Sequence, residues 1–121
     1  MMRPIGVFDS GIGGLTVVKE LFTTVPFEPI VYFGDTARVP YGTKSVETVR
    51  RYAQEDAELL LAHDVKMIVV ACNTAASVAL EQLAEVLPVP VVSVIEPGAR
   101  ALVQATRNGR AGVIEIGRAH V

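Results

Sequence analysis

The stretch Met67-Ile68-Val69-Val70-Ala71-Cys72-Asn73-Thr74-Ala75-Ala76-Ser77 decides the fold class. Met67–Ala71 is apolar throughout and rich in β-branched residues, with no alternation of polar and apolar positions. That is the pattern of a strand covered on both faces, as in a parallel sheet. Polar residues follow at once, and helical spacing of apolar positions runs from Ala75 to Val86. A buried strand passing straight into a helix is half of a βαβ unit.

Outward from this stretch the same unit repeats. Uniformly apolar runs at Ile5–Phe8, Ile30–Phe33 and Val91–Ile95 predict three more strands. Leu15, Val18, Leu21 and Phe22 mark a first helix, and a second spans Val46 to about His63. On that second helix Val49, Tyr52, Ala53, Leu59 and Leu60 are expected to face inward. Another helix runs from about Gly98 to Arg107, with Asn108-Gly109 as its stop. A fifth strand is expected to open at Ala111-Gly112-Val113-Ile114. Strand and helix alternate, so the expected fold is α/β, a doubly wound parallel sheet with right-handed crossovers.

The 121 residues suit one domain. With 50% hydrophobic and 20% charged residues, the chain has the composition of a packed core rather than of disorder. Its 11 basic residues oppose 13 acidic ones for a net charge of -2, without a basic stripe. No nucleic acid and no anionic membrane surface is therefore expected as a partner. The 6% aromatic content without tryptophan argues against a base-stacking platform. A single cysteine makes no internal disulfide and suits a reducing compartment. The N-terminus lacks a leader-like apolar region, and no run approaches the roughly 20 apolar residues of a membrane span. A soluble, cytoplasmic protein is the expectation.

In doubly wound folds ligands bind outside the carboxyl ends of the strands. Those ends read Asp9-Ser10-Gly11-Ile12-Gly13-Gly14, then Gly34-Asp35-Thr36-Ala37-Arg38-Val39-Pro40-Tyr41-Gly42, then Cys72-Asn73-Thr74, then Glu96-Pro97-Gly98. Small polar or acidic residues thus converge on one edge of the sheet. The glycine turn with Asp35 further on suggests a dinucleotide site. Thr16 at the third glycine position and Asp9 at the mouth of the turn speak against it, since a carboxylate there repels a pyrophosphate. Gly13 and Gly14 also have a simpler use, close packing of helix and strand. Asp9 or Ser10 has one too, as a helix N-cap. Capping needs only one of them, and the pair at a strand end favours a functional role. Pro40-Tyr41-Gly42 reads equally as a turn, with Tyr41 over the core edge, or as a pocket wall with the Gly42 N–H turned to a carboxylate.

A lone cysteine is ordinarily a small buried hydrophobe. Cys72, however, ends a buried strand on the ligand edge and immediately precedes a helix, whose N-terminal partial charge is expected to lower its pKa. Asn73 and Thr74 add hydrogen-bonding groups beside free helical N–H groups, an anion receptor. A thiol base beside a carboxylate receptor suits amino-acid chemistry. His63 reads as a residue of a helix C-terminus and His120 lies in the tail. No His, Cys or acid pair has metal-ligand spacing, so no metal is expected. No Cys-His dyad, nucleophile elbow or strand-end lysine points to a hydrolase or to pyridoxal phosphate.

Three segments together carry a specific resemblance: Gly6-Val-Phe-Asp-Ser-Gly-Ile-Gly-Gly-Leu-Thr16, Tyr32-Phe-Gly-Asp-Thr-Ala-Arg-Val-Pro-Tyr-Gly42 and Val70-Ala-Cys-Asn-Thr-Ala75. Val94-Ile-Glu-Pro-Gly98 also fits. From about Ile5 to about Ile114 the sequence resembles the aspartate/glutamate racemase family, in its glutamate racemase branch. The resemblance implies cofactor-independent interconversion of L- and D-glutamate, supplying D-glutamate for peptidoglycan. Two cysteines would act on opposite faces of the α-carbon, with Cys72 as the base of the N-terminal domain. Asp9 and Ser10 match residues near the substrate amino group and carboxylate. Tyr41 with Gly42, and Asn73 with Thr74, match carboxylate-binding positions. A homodimer is the expectation for the full-length protein. Racemases of the same family acting on aspartate or a hydantoin, and a non-catalytic binder of acidic ligands, are the alternatives.

The match fails at the end of the chain. Residues 1–114 read as one α/β domain of a normally two-domain racemase, and nothing corresponds to the Cys-Thr-His segment of the second. The seven residues Glu115-Ile-Gly-Arg-Ala-His-Val121 coincide with one translation of common sequencing-adapter DNA and are expected to be non-native. A fragment with one base is expected to be inactive alone.

Overall fold

The computed structural model describes residues 2–115 and 118–120, with side chains described as far as residue 113. Its elements are β1 (Ile5–Asp9), α1 (Leu15–Thr24), β2 (Ile30–Gly34), α2 (Val46–Leu61), β3 (Met67–Val70), α3 (Asn73–Val86), β4 (Val91–Ser93), α4 (Ile95–Ala105), β5 (Val113–Glu115) and β6 (Arg118–His120). Two single 3-10 turns, Thr36–Arg38 and Tyr41–Thr43, lie between β2 and α2.

Strands β1 to β4 form one parallel sheet in the order β2-β1-β3-β4. The inner strand β1 is buried along its whole length, as its unbroken apolar sequence requires. Its side chains alternate between the two faces. Ile5 and Val7 pack with Val18 of α1 and Val69. Phe8 faces the larger cluster built with Val49, Ala53, Ala57 and Leu60 of α2 and Ala76, Ala79 and Leu83 of α3. The sheet is therefore covered on both sides, a doubly wound α/β arrangement.

Of the residues that mark the first helix, Leu15 and Phe22 are 50% and 59% exposed, because the ten-residue α1 buries only the stripe centred on Val18. Other expectations are corrected. Leu59 is 43% exposed, one residue and so about 100° away from the stripe that ends in Leu60. Between Ala53 and Leu60 that stripe also buries an acid, Asp56. Helix α4 begins at Ile95, inside the expected strand, which places Glu96, Pro97 and Gly98 in its first turn. Proline is tolerated there because first-turn N–H groups have no helical partner. The fifth strand does not extend the parallel sheet. Instead β5 pairs antiparallel with β6, Val113 opposite His120, as a separate two-stranded ribbon. Closing so short a loop costs little chain entropy compared with a crossover. Of the tail expected to be non-native, Ile116, Gly117 and Val121 lie outside the described residues.

Two glycines are fixed by close approach. A Cβ on Gly14 would lie 2.8 Å from Asp9 Cβ, so the packing use anticipated for the glycine turn falls on this residue. A Cβ on Gly34 would lie 2.3 Å from the carbonyl oxygen of Gly11, where only backbone movement makes room. Gly34→Ala is accordingly expected to lower unfolding free energy by about 1–3 kcal/mol, measured by denaturant titration. A stability equal to wild type would show that the Gly11 turn yields freely.

Candidate functional site

Sheet order reverses between β1 and β3, because the chain leaves β1 toward β2 and then returns past it to β3. The carboxyl ends of these two strands flank a topological switch point, where open α/β sheets hold ligands. A cavity of about 840 Å³ opens there. Its lining includes all seven predicted residues: Asp9, Ser10, Tyr41, Gly42, Cys72, Asn73 and Thr74. From the fourth strand end it takes Val94 and Gly98. The acid predicted beside them, Glu96, instead pairs with Arg100 on the outer surface, both side chains being 74% exposed.

Asp9 terminates β1 and is 7% exposed. Its Oδ1 accepts the Ser10 N–H at 2.7 Å and its Oδ2 accepts the Gly14 N–H at 2.6 Å. The carboxylate thus braces the glycine turn just before α1, while the residue at the helix cap position is Gly14, with no side-chain cap. It also occupies the amide that a bound pyrophosphate would need, a physical reason against the dinucleotide alternative. The Tyr32 hydroxyl donates to the Gly11 carbonyl at 2.9 Å and holds the turn from the neighbouring strand. Burial, then the nearby Asp9 charge, raises the Tyr32 pKa, so the phenol stays a donor.

Cys72 is the N-cap of α3 and is 6% exposed. Its Sγ accepts the Ala75 N–H at 3.4 Å, and it donates toward Ser10 Oγ at 3.6 Å across the switch point. The helix N-terminus does pull its pKa down, through Ala75, and the Ser10 contacts act in the same sense. Burial outweighs them and raises the thiol pKa, and the Asp9 charge adds to the rise. The expected lowering is thus reversed in this domain, since desolvation of a thiolate costs more than one long N–H contact returns. Thr74 is buried beside it, while Asn73 is exposed at the cavity.

Tyr41 lines the cavity yet is only 1% exposed. Its hydroxyl bonds to Asp35 Oδ2 and, at 2.6 Å, to Asp56 Oδ2. The segment is a turn with Tyr41 buried at the core edge, and Tyr41 and Gly42 also line the cavity. Asp35, considered above as a ribose acid, instead pairs with Arg38, whose Nε and Nη2 each lie 2.7 Å from its Oδ2. Asp56 went unnoticed in the sequence. Its signal was there, an acid seven residues after Val49 on the apolar stripe of α2, where an unpaired charge is costly.

Residues 5–121 match the family model for Asp/Glu/Hydantoin racemase. The glutamate racemase of Geobacter metallireducens is 61% identical over 112 residues, covering 93% of this chain and 42% of that protein. The solved glutamate racemase of Aquifex pyrophilus superposes with a TM-score of 0.85 at 50% identity, over 89% of this chain and 43% of its own. That of Francisella tularensis, solved in complex with D-glutamate, gives a TM-score of 0.77 at 50% identity, over 83% of this chain and 38% of its own. The chain thus spans about two fifths of the length of these relatives. On the match of nearly its entire length, the chain belongs to the Asp/Glu/Hydantoin racemase family.

Proposed function

We propose that this chain is the N-terminal domain of a cofactor-independent glutamate racemase, with Cys72 as one of two bases. The carrying observation is the meeting of Cys72 Sγ, Ser10 Oγ and the Asp9 carboxylate at the mouth of one cavity, beside the first N–H groups of α3. An amino acid bound here directs its ammonium to Asp9, whose two oxygens have lone pairs left after the two backbone bonds. Its carboxylate goes to the polar groups and helix N-terminus at Asn73 and Thr74. Burial is the main cause of the raised thiol pKa and the Asp9 charge adds to it; the ammonium offsets the second of these, so substrate itself makes Cys72 a better base. The thiolate then takes the α-proton from one face, leaving the electron pair on the carbon next to a carboxylate. Donors around that carboxylate stabilise the growing charge. A second base, on the part of the relatives that this chain does not cover, returns a proton to the opposite face and inverts the centre. The D-glutamate formed supplies peptidoglycan in the cytoplasm.

The test is α-deuterium incorporation and loss of optical rotation by the full-length product of the gene, with each enantiomer of glutamate and no added cofactor. Exchange from both enantiomers is expected. Exchange with neither rejects the reading, and exchange with aspartate alone transfers it to the shorter acid.

A further inference from the structure

Beneath the cavity wall one hydroxyl meets two carboxyl groups. Tyr41 Oη lies within hydrogen-bond distance of both Asp35 Oδ2 and Asp56 Oδ2, and all three side chains are buried, at 1%, 4% and 1% exposure. A phenol has a single proton to donate. Two ionised carboxylates cannot both be satisfied by it, so a second proton must sit on one of them. Asp35 takes both Nε and Nη2 of Arg38 at 2.7 Å, whereas Asp56 receives only Nη2 at 3.2 Å through its other oxygen. The guanidinium already serves Glu55 as well, at 2.7 Å, and stacks on Tyr52 with its carbon 3.9 Å from the ring centre. The better-paired acid keeps the charge, and the proton falls to Asp56.

We propose that Asp56, held in its neutral acid form, is a positioning residue that fixes the Asp35–Thr43 segment as a wall of the ligand cavity. Tyr41 Oη and Asp56 Oδ2 lie 2.6 Å apart, so a proton on Oδ2 turns that bond round: the neutral acid donates to Tyr41 Oη, Tyr41 donates to Asp35, and Asp35 clamps Arg38 back onto Oδ1 of Asp56. The closed ring ties both 3-10 turns of the segment to the middle of α2. Thr36, Val39, Pro40, Tyr41 and Gly42 are the residues of the segment that line the cavity. The inference rests on the racemase reading only for its kinetic arm.

Burial, opposed by the Tyr41 hydrogen bond and reinforced by Asp35, pushes the Asp56 carboxyl up to about 7. The titratable and charged groups around it are Asp35, Arg38 and Tyr41 from the segment and Tyr52 and Glu55 on α2. The buried residues of the same core from α3, Ala76, Ala79 and Leu83, and Phe8 of β1 are uncharged. An unfolded aspartate ionises near pH 4, roughly. The folded value is higher, so the contribution of Asp56 to stability is full below about pH 4 and is lost as pH rises through about 7.

The experiment compares Asp56→Asn and Asp56→Leu in the full-length product of the gene. Asparagine reproduces the neutral acid, with Nδ2–H toward Tyr41 and Oδ1 toward Arg38. Wild type should show an infrared carbonyl band of a protonated carboxyl at mildly acidic pH that fades as pH rises through about 7, and the Asn variant should lack it. The Leu variant should speed amide hydrogen exchange across residues 36–43 and raise KM for glutamate roughly tenfold with little change in kcat, the mark of lost uniform binding. The Asn variant should restore slow exchange and most of the KM, and should lose the stability slope between acid and neutral pH. An Asn spectrum identical to wild type, or amide exchange in the Asn variant as fast as in Leu, overturns the proposal. The infrared and exchange readouts need no substrate, so their failure is distinct from failure of the racemase reading.

Discussion

Replacing Cys72 by Ser is expected to cut α-proton exchange and racemisation of glutamate in the full-length product of the gene by roughly 10²–10⁴-fold, the range that a positioned general base contributes. A serine hydroxyl at this place does not ionise at neutral pH, and its shorter bond withdraws the base from the α-carbon. The fold should survive the change. Cys72 already acts as the N-cap of α3 by accepting the Ala75 N–H, and serine is a favoured residue for that task. Unchanged unfolding beside lost exchange is therefore the signature of a chemical role. Exchange at the wild-type rate would remove the central assignment. Alkylation gives an independent reading, because the raised pKa predicts that the unliganded thiol reacts with iodoacetamide only at pH values above those of a free cysteine.

Asp9→Asn should be costly in two currencies at once. The carboxylate accepts two backbone N–H groups, from Ser10 and Gly14, and an amide offers only one oxygen in their place. Its NH2 then faces a backbone donor. Hydrogen bonds to charged groups contribute about 1.5–3 kcal/mol each, so a loss of unfolding free energy of that order is expected. Activity should fall further than stability, by roughly 10²-fold or more in kcat/KM, because the same carboxylate is proposed to receive the substrate ammonium. A variant that loses stability but retains kcat/KM would leave Asp9 with a bracing role alone.

The order of strands and helices was legible because each uniformly apolar run is short and each is followed by polar residues. Convergence of Asp9, Ser10, Cys72, Asn73 and Thr74 on one cavity follows from that order, since every parallel strand delivers its last residue to the same edge. What the sequence withheld depends on distances between elements. The Cys72 pKa is raised chiefly by burial in the core, which a motif cannot express. The Asp35, Tyr41 and Asp56 ring joins residues up to 21 positions apart and was invisible as a pattern, although an acid on an apolar stripe was a hint. Leu59, expected to face inward, is exposed because helical period gives a face but not how wide a stripe the sheet can cover.

The raised pKa of the buried Cys72 thiol also bears on durability. Thiolates attack peroxides and disulfides far faster than thiols do. An empty site therefore shows oxidants a nearly inert sulfur, shielded to 6% exposure and kept protonated by its own surroundings. On the proposed function, reactivity is confined to the moments when the substrate ammonium occupies the cavity, and the substrate then covers the sulfur.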